Sequence, residues 1–276
     1  MKRLHVTTGL LVALLAVSSS FGGAAEARPK RSGDEKAEKQ QIVLDGMVER
    51  VNWSDGDSFR VIGGSRDGQK ARLVGYNTVE SYGPVHFWGD AHGWDIYRMH
   101  KEATEFVRSQ EWDCTSNGSA DGYGRILVDC PELRRQIIRN GLAHVFAYNE
   151  EPDPDLVKVM HEAQVARVGM WKWGIPRGIV TSVHSIDEKK DDDFEEPAAG
   201  KKSYNRIADT ATGKTFPVEH DKVFKPCDVF CYWGSCMVYV PFKMRYGDDK
   251  PSCVMGKNGE LNKMDGPSHL KEPFTE

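Results

Sequence analysis

Apolar and polar side chains alternate through residues 42–53 and again through 58–62, with the turn residues Ser54, Asp55 and Gly56 between the two runs. Alternation with a period of two marks a half-buried strand. Asp67 and Gly68 then turn the chain into a third run, 70–76, so the pattern predicts three consecutive strands in a meander. The period changes further on: Met99, Ala103, Phe106 and Val107 fall at i, i+4, i+7 and i+8, one apolar face of a three-turn helix. Residues 111–115 and 125–130 read as a hairpin around S-N-G-S-A-D-G-Y-G. Pro131 is placed to open a second helix with Leu133, Ile137 and Ile138 inward, and Gly141 to stop it. A third helix has Asp153 as N-cap and Pro154 at its first position, buries Leu156, Val159, Met160 and Ala163, and ends near Gly169. A meander that closes on itself, with a helix inserted after its third strand, describes an OB-type β-barrel with added helices, an α+β fold.

The flanks are different in kind. Lys2 and Arg3 precede an apolar run from Gly9 to Val17 and then small residues, with Ala25 and Ala27 placed as in an A-x-A cleavage site. Residues 1–27 are therefore expected to be a secretory signal peptide, and a run so short is a poor membrane anchor. Residues 28–41 are charged and almost free of apolar side chains, a solvated leader. The folded domain is expected at 42–178, a charged linker at 179–214, and a small Cys-rich module at 215–276. The stretch 81–95 stands out inside the domain, holding Tyr82, His86, Phe87, Trp88, His92 and Trp94 among glycines.

Composition narrows the function. The formal net charge of the 276 residues is −4, and acids outnumber bases within 42–177 as well, which argues against a dedicated nucleic-acid coat but not against a transient enzymatic encounter with a polyanion. Six cysteines in an exported chain point to disulfides. Cys114 and Cys130 lie almost symmetrically about Gly122, so a hairpin turning there sets them opposite each other. Cys227, Cys231, Cys236 and Cys253 leave three connectivities open. Zinc is the rival reading for them, against which stands the lack of a paired C-x2-C spacing.

Candidate chemistry gathers between Asp55 and Glu80. A phosphodiester resists water because its negative charge repels a nucleophile, and charge grows on its oxygens in the transition state; a cation and arginine donors relieve both. Asp57 at the head of the second strand, with Asn77 and Thr78 at the end of the third, offers oxygens that suit Ca²⁺. Glu80 can position or deprotonate water. Arg72 and Arg125 can grip phosphate with planar forks. Taken singly, Asp57 could be a turn residue, Arg72 a solvated strand residue, and Arg125 a partner for Asp121; their joint spacing favours function. His86, Asp90 or His92 could add a ligand for another divalent ion, or simply pack the loop. His144 and His161 read as packing or surface residues.

Four blocks, D-G-D-S-F-R-V, A-R-L-V-G-Y-N-T-V-E, D-G-Y-G-R and I-R-N-G-L-A-H-V, stand in an order and at a spacing that resembles the staphylococcal nuclease (thermonuclease-like) family, over residues 42–175. The resemblance implies a five-stranded OB barrel with three helices and Ca²⁺-dependent cleavage of DNA or RNA. It implies metal ligation by Asp57, by the position of Asn77 and by the carbonyl of Thr78, and Glu80 beside the attacking water. It also implies Arg72 and Arg125 on the phosphate and Tyr123 beside the nucleotide, with Tyr148 aligning loosely with a base-stacking tyrosine. The chain departs from the family's pattern at Asn77, where an aspartate is expected and a lower Ca²⁺ affinity follows, at Val79 in place of proline, and at Gly122 in place of a basic residue.

The leading expectation is thus an exported, monomeric, metal-dependent nuclease, secreted or periplasmic, with nucleic acid as its substrate and no stable membrane association after signal cleavage. Two other readings are kept. One is an OB module weakened by Asn77 that binds single strands by its aromatics; the other is a disulfide-rich adhesion or wall-binding tail carried on a barrel scaffold.

Overall fold

The computed structural model describes residues 40–188, 197–246 and 248–254. The expected signal peptide at 1–27, most of the leader, the acidic run 189–196 and residues 255–276 lie outside them. The first expected strand is in fact two. Asp45 and Gly46 take left-handed backbone, with φ of 54° and 80°. They turn the chain between β1 (Gln41–Leu44) and β2 (Met47–Trp53), which pair antiparallel with Leu44 opposite Met47. Asp-Gly is a favoured pair for so tight a hairpin. Ser116 secures it by donating its N–H and hydroxyl to the Asp45 carboxylate at 2.7 and 3.0 Å.

β3 (Ser58–Val61) and β4 (Lys70–Leu73) continue the meander. The chain then leaves the barrel through β5 (Tyr76–Asn77), β6 (His86–Trp88) and helix α1 (Gly93–Val107), and returns as the hairpin β7 (Trp112–Ala120) and β8 (Ile126–Asp129). Parallel pairing of β1 with β7 and of β4 with β8 closes the barrel in the order β1-β2-β3-β4-β8-β7. The count is six strands rather than the five expected because the Asp45-Gly46 turn divides the first.

Alternate positions of these strands fill the barrel: Ile42, Leu44, Val51, Phe59, Val61 and Leu73 are all buried. Each such side chain contributes about 1.5–3 kcal/mol on leaving water. α1 covers the barrel with Ile96, Met99, Ala103 and Val107, while Phe106 sits at the margin, half-buried against the same core. Then follow α2 (Pro131–Arg139), the short β9 (His144–Val145) and β10 (Ala147–Tyr148), and α3 (Pro154–Val165). The Asp153 carboxylate caps α3 by accepting the Asp155 N–H at 2.9 Å. A disulfide joins Cys114 of β7 to Cys130 at the head of α2.

The remaining described residues are woven into the domain. β11 (Gly178–Ser182) and β12 (Ser203–Asp209) are strands in the stretch whose composition reads as linker. β13 (Lys214–His220) pairs with β12 and, in parallel, with β10. β14 (Val229–Tyr232) and β15 (Ser235–Val238) form a hairpin whose second strand pairs with β6, and the short helix α4 (Phe242–Arg245) follows. Tyr82, Val85 and Phe87 from the 81–95 stretch share a second core with Ile207, Val238 and Tyr239. The tail cysteines are joined Cys227–Cys253 and Cys231–Cys236. Disulfides form and persist in oxidising compartments. Among the described residues, no helix is long and apolar enough to cross a membrane.

Candidate active site

Backbone pairing brings Asp57 to Arg72: Ser58 lies opposite Arg72 across β3 and β4, and the Leu73 N–H donates to the Asp57 carbonyl at 2.9 Å. β5 is held by β9, with Asn77 opposite His144. The Tyr76 hydroxyl reaches back to donate to the Gly56 carbonyl at 2.8 Å. Gly56 explains the small residue between the two aspartates. A Cβ there would stand 2.7 Å from Thr78 Cγ2 and 2.8 Å from the Ala103 Cβ of α1, closer than carbon atoms pack.

Asp57 is the centre of the cluster and is 2% exposed. Its Oδ1 accepts from Arg72 Nη1 and from the Ser58 hydroxyl. Its Oδ2 accepts from the Thr78 N–H at 2.7 Å and the Thr78 hydroxyl at 2.9 Å. Arg72 extends its other amino group to Asn77 Oδ1, so one guanidinium bridges Asp57 and Asn77. Asn77 Nδ2 donates to the Thr78 carbonyl at 2.7 Å. Burial opposes charge on Asp57, but the Arg72 guanidinium and the Thr78 N–H overcome it, and the carboxyl is held below its usual range. Asp55, half-buried, is driven the other way by desolvation and by the Asp57 charge.

Glu80 follows β5 by three residues. Its N–H donates to His86 Nε2 at 3.2 Å. Burial raises its carboxyl above the ordinary range, and the strongest opposing influence is the charge of Arg245, ahead of Arg72 and Arg125. Arg245 belongs to α4 and carries no motif; nothing in its local sequence pointed to the site.

The other expected residues are placed less directly. Arg125 is committed within its own hairpin, where Nε donates to Asp121 Oδ2 at 2.7 Å and the Arg125 N–H to Asp121 Oδ1 at 3.0 Å. Tyr123 is 64% exposed beside it, with the Arg125 guanidinium 5.7 Å from its ring centre. Tyr148 is drawn into the C-terminal sheet opposite Thr215, and the Arg206 guanidinium lies 5.1 Å from its ring centre. Asp57, Arg72, Asn77 and Thr78 thus touch one another, and Glu80 adjoins them within reach of the Arg125 charge, while Tyr123 sits on the hairpin turn beside Arg125 and Tyr148 belongs to β10.

The loop residues weighed as extra ligands make contacts of their own. His86 is buried on β6, its imidazole pushed down to about 3 by desolvation. His92 caps α1 together with Asp95, and the Asp90 N–H donates to the Trp173 carbonyl. Among the described residues, no three His, Cys, Asp or Glu side chains gather as a metal centre. His144 is buried beside Asn77, with Nδ1 against the Val145 carbonyl at 2.9 Å and Nε2 enclosed with no hydrogen-bond partner among the described residues.

A hard cation fits the oxygen set. A positively charged group, the Arg72 guanidinium, already bridges the Asp57 and Asn77 oxygens, and the Thr78 backbone lies against both side chains. Carboxylate, amide and carbonyl oxygens are the donors Ca²⁺ takes.

Residues 70–173 match the family model described as staphylococcal nuclease homologue. The match begins at the first residue of β4 and so contains Arg72, Asn77, Thr78, Glu80, Tyr123, Arg125 and Tyr148, while Asp57 lies before it. The pairing of β3 with β4 is what joins Asp57 to the matched segment. No curated protein matches the chain.

Proposed function

We propose that this protein is an exported nuclease that hydrolyses phosphodiester bonds of DNA, RNA or both with a divalent cation, Ca²⁺ being the one its oxygens suit. The observation that carries the reading is the bridging of Asp57 and Asn77 by Arg72 beside a half-buried Glu80. The Asp57 and Asn77 side-chain oxygens and the Thr78 carbonyl would hold the cation. When bound, it supplies positive charge against the phosphate oxygens.

The chain's own residues do the rest. Glu80, with its carboxyl raised by burial, takes a proton from the attacking water as the water oxygen bonds to phosphorus. The bond from phosphorus to one ester oxygen breaks, and that oxygen leaves with a proton from solvent. Arg72 and Arg125 meet the non-bridging oxygens, for which phosphate must compete with Asp57 and Asp121. Tyr123 and Tyr148 offer rings to the bases. Residues 1–27 serve as the export signal, and the mature chain acts as a monomer in the periplasm or outside the cell, free of the membrane.

The test is digestion of single-stranded DNA and RNA by the full mature chain with Ca²⁺ and with EDTA. Cleavage abolished by EDTA is the expected result. Binding without cleavage would replace the enzyme by a single-strand binder, and neither would move attention to the tail.

A further inference from the structure

The residues that follow Glu80 are held from outside by Arg245, Tyr246 and Val254. Ser81 Oγ and the Tyr246 hydroxyl are 3.2 Å apart, and the Tyr246 ring meets Tyr82 edge-on at 6.2 Å. The Arg245 guanidinium lies 4.8 Å from the Tyr82 ring centre, and its Nε is anchored on the Val240 carbonyl at 3.0 Å. Val254 fills the notch at Gly83 so tightly that a Cβ there would come within 2.6 Å of Val254 Cγ1. The residue before Val254 is Cys253, bonded to Cys227, whose N–H donates to the Tyr239 carbonyl at 2.9 Å. On the other side of the same loop, Met237 of β15 pairs with His86, the residue that accepts the Glu80 N–H.

We infer that residues 237–246 and 248–254 form a positioning clamp for the active site. Tyr246 and Val254 press on residues 81–83, β15 holds His86, and the Cys227–Cys253 disulfide fastens the two grips together, so that the Glu80 carboxylate is presented in one place. This rests on the reading of Glu80 as the base. It assigns the tail a task in catalysis rather than in adhesion. A loop of few residues carrying a catalytic group needs such support, because a displacement of about 1 Å can cost on the order of a hundredfold in rate.

The experiment compares the full mature chain with Tyr246→Ala and with the double variant Cys227→Ser, Cys253→Ser. Amide hydrogen exchange is read at Glu80, whose N–H is bonded to His86, with the amides of β2 and β3 as internal controls; this readout does not depend on activity. Steady-state cleavage of a single-stranded DNA oligonucleotide supplies kcat and KM. The clamp predicts exchange at Glu80 faster by about tenfold or more in the double variant, and faster to a smaller degree in Tyr246→Ala. It also predicts unchanged exchange in β2 and β3, and a loss in kcat with KM within about twofold. Unchanged exchange at Glu80 in both variants would overturn it, as would a loss of protection spread equally through the barrel. If the unaltered chain cleaves nothing, the nuclease reading falls, and the exchange data still decide whether the tail holds this loop.

Discussion

Thr78 gives both its backbone N–H and its hydroxyl to a single oxygen of Asp57, at 2.7 and 2.9 Å across 21 residues of sequence. That double donation keeps a buried carboxylate charged beside Arg72 and binds the end of β5 to the head of β3. Thr78→Val keeps the shape and removes the hydroxyl. It should cost about 1–3 kcal/mol, because a buried carboxylate oxygen loses a donor. Urea unfolding of the two proteins at neutral pH measures it, and a change below 0.5 kcal/mol, roughly the level of a neutral surface substitution, would mean that the hydroxyl bond is not what holds Asp57.

Gly56→Ala puts a methyl group between Thr78 and Ala103 where the space is under 3 Å. The expected cost is about 1–3 kcal/mol from overpacking, together with a loss of nuclease activity as Asp57 is pushed out of line. Thermal unfolding and cleavage assays on the same preparation check both halves. Full activity with unchanged stability would show that α1 and β5 can move apart.

Acid sensitivity follows from the buried imidazoles. Desolvation pushes His86 down to about 3 and His144 to about 4, from an ordinary value of 6.5. Their folded-state values are depressed, so the unfolded chain takes up protons first. The stability they contribute is present above pH 6.5 and drains as pH falls toward 4. Asp55 and Glu80, with raised carboxyls, take up protons first in the folded state and pull the other way, so the histidine share is read by difference. His144→Gln should lose less unfolding free energy than the unaltered protein between pH 7.5 and 5, and an identical pH dependence in the two proteins would contradict the burial of that ring.

Asn77→Asp separates two tasks of one side chain. The amide nitrogen now donates to the Thr78 carbonyl, and a carboxylate would set oxygen against oxygen there. Without metal the variant should therefore be less stable by about 1–2 kcal/mol. The added charge should also tighten Ca²⁺ binding. Thermal melts over a Ca²⁺ titration read both effects, with a lower melting point at zero Ca²⁺ and a steeper rise as the ion is added. Loss of all Ca²⁺ response would mean that the site is built around the amide.

What could be read from the sequence was what neighbours in the chain decide. The Cys114–Cys130 pair follows from the symmetry of a hairpin, and α3 follows from Asp153 and Pro154. The alternative partner weighed for Arg125, Asp121, is also a local contact, four residues away, and the structure forms it. The Asp45-Gly46 turn carried its own signal, but the apolar alternation on either side of it runs on unbroken in composition, and the two strands read as one. What stayed hidden was long-range pairing. β6 is three residues long and finds its partner β15 some 150 residues on, and no periodicity in so short a run announces that contact. Arg245 sits on a four-residue helix in the tail, and its influence on Glu80 comes from the docking of β15 and the Cys227–Cys253 bond.

The central claim is hydrolysis with Glu80 as the base, and the most direct measurement is Ca²⁺-dependent cleavage of a single-stranded oligonucleotide by the unaltered chain and by Glu80→Gln, both shown folded by matching melting curves. The account predicts cleavage by the unaltered chain and a rate at least about a hundredfold lower in the variant. Equal rates for the two proteins, or no cleavage by either, would contradict it.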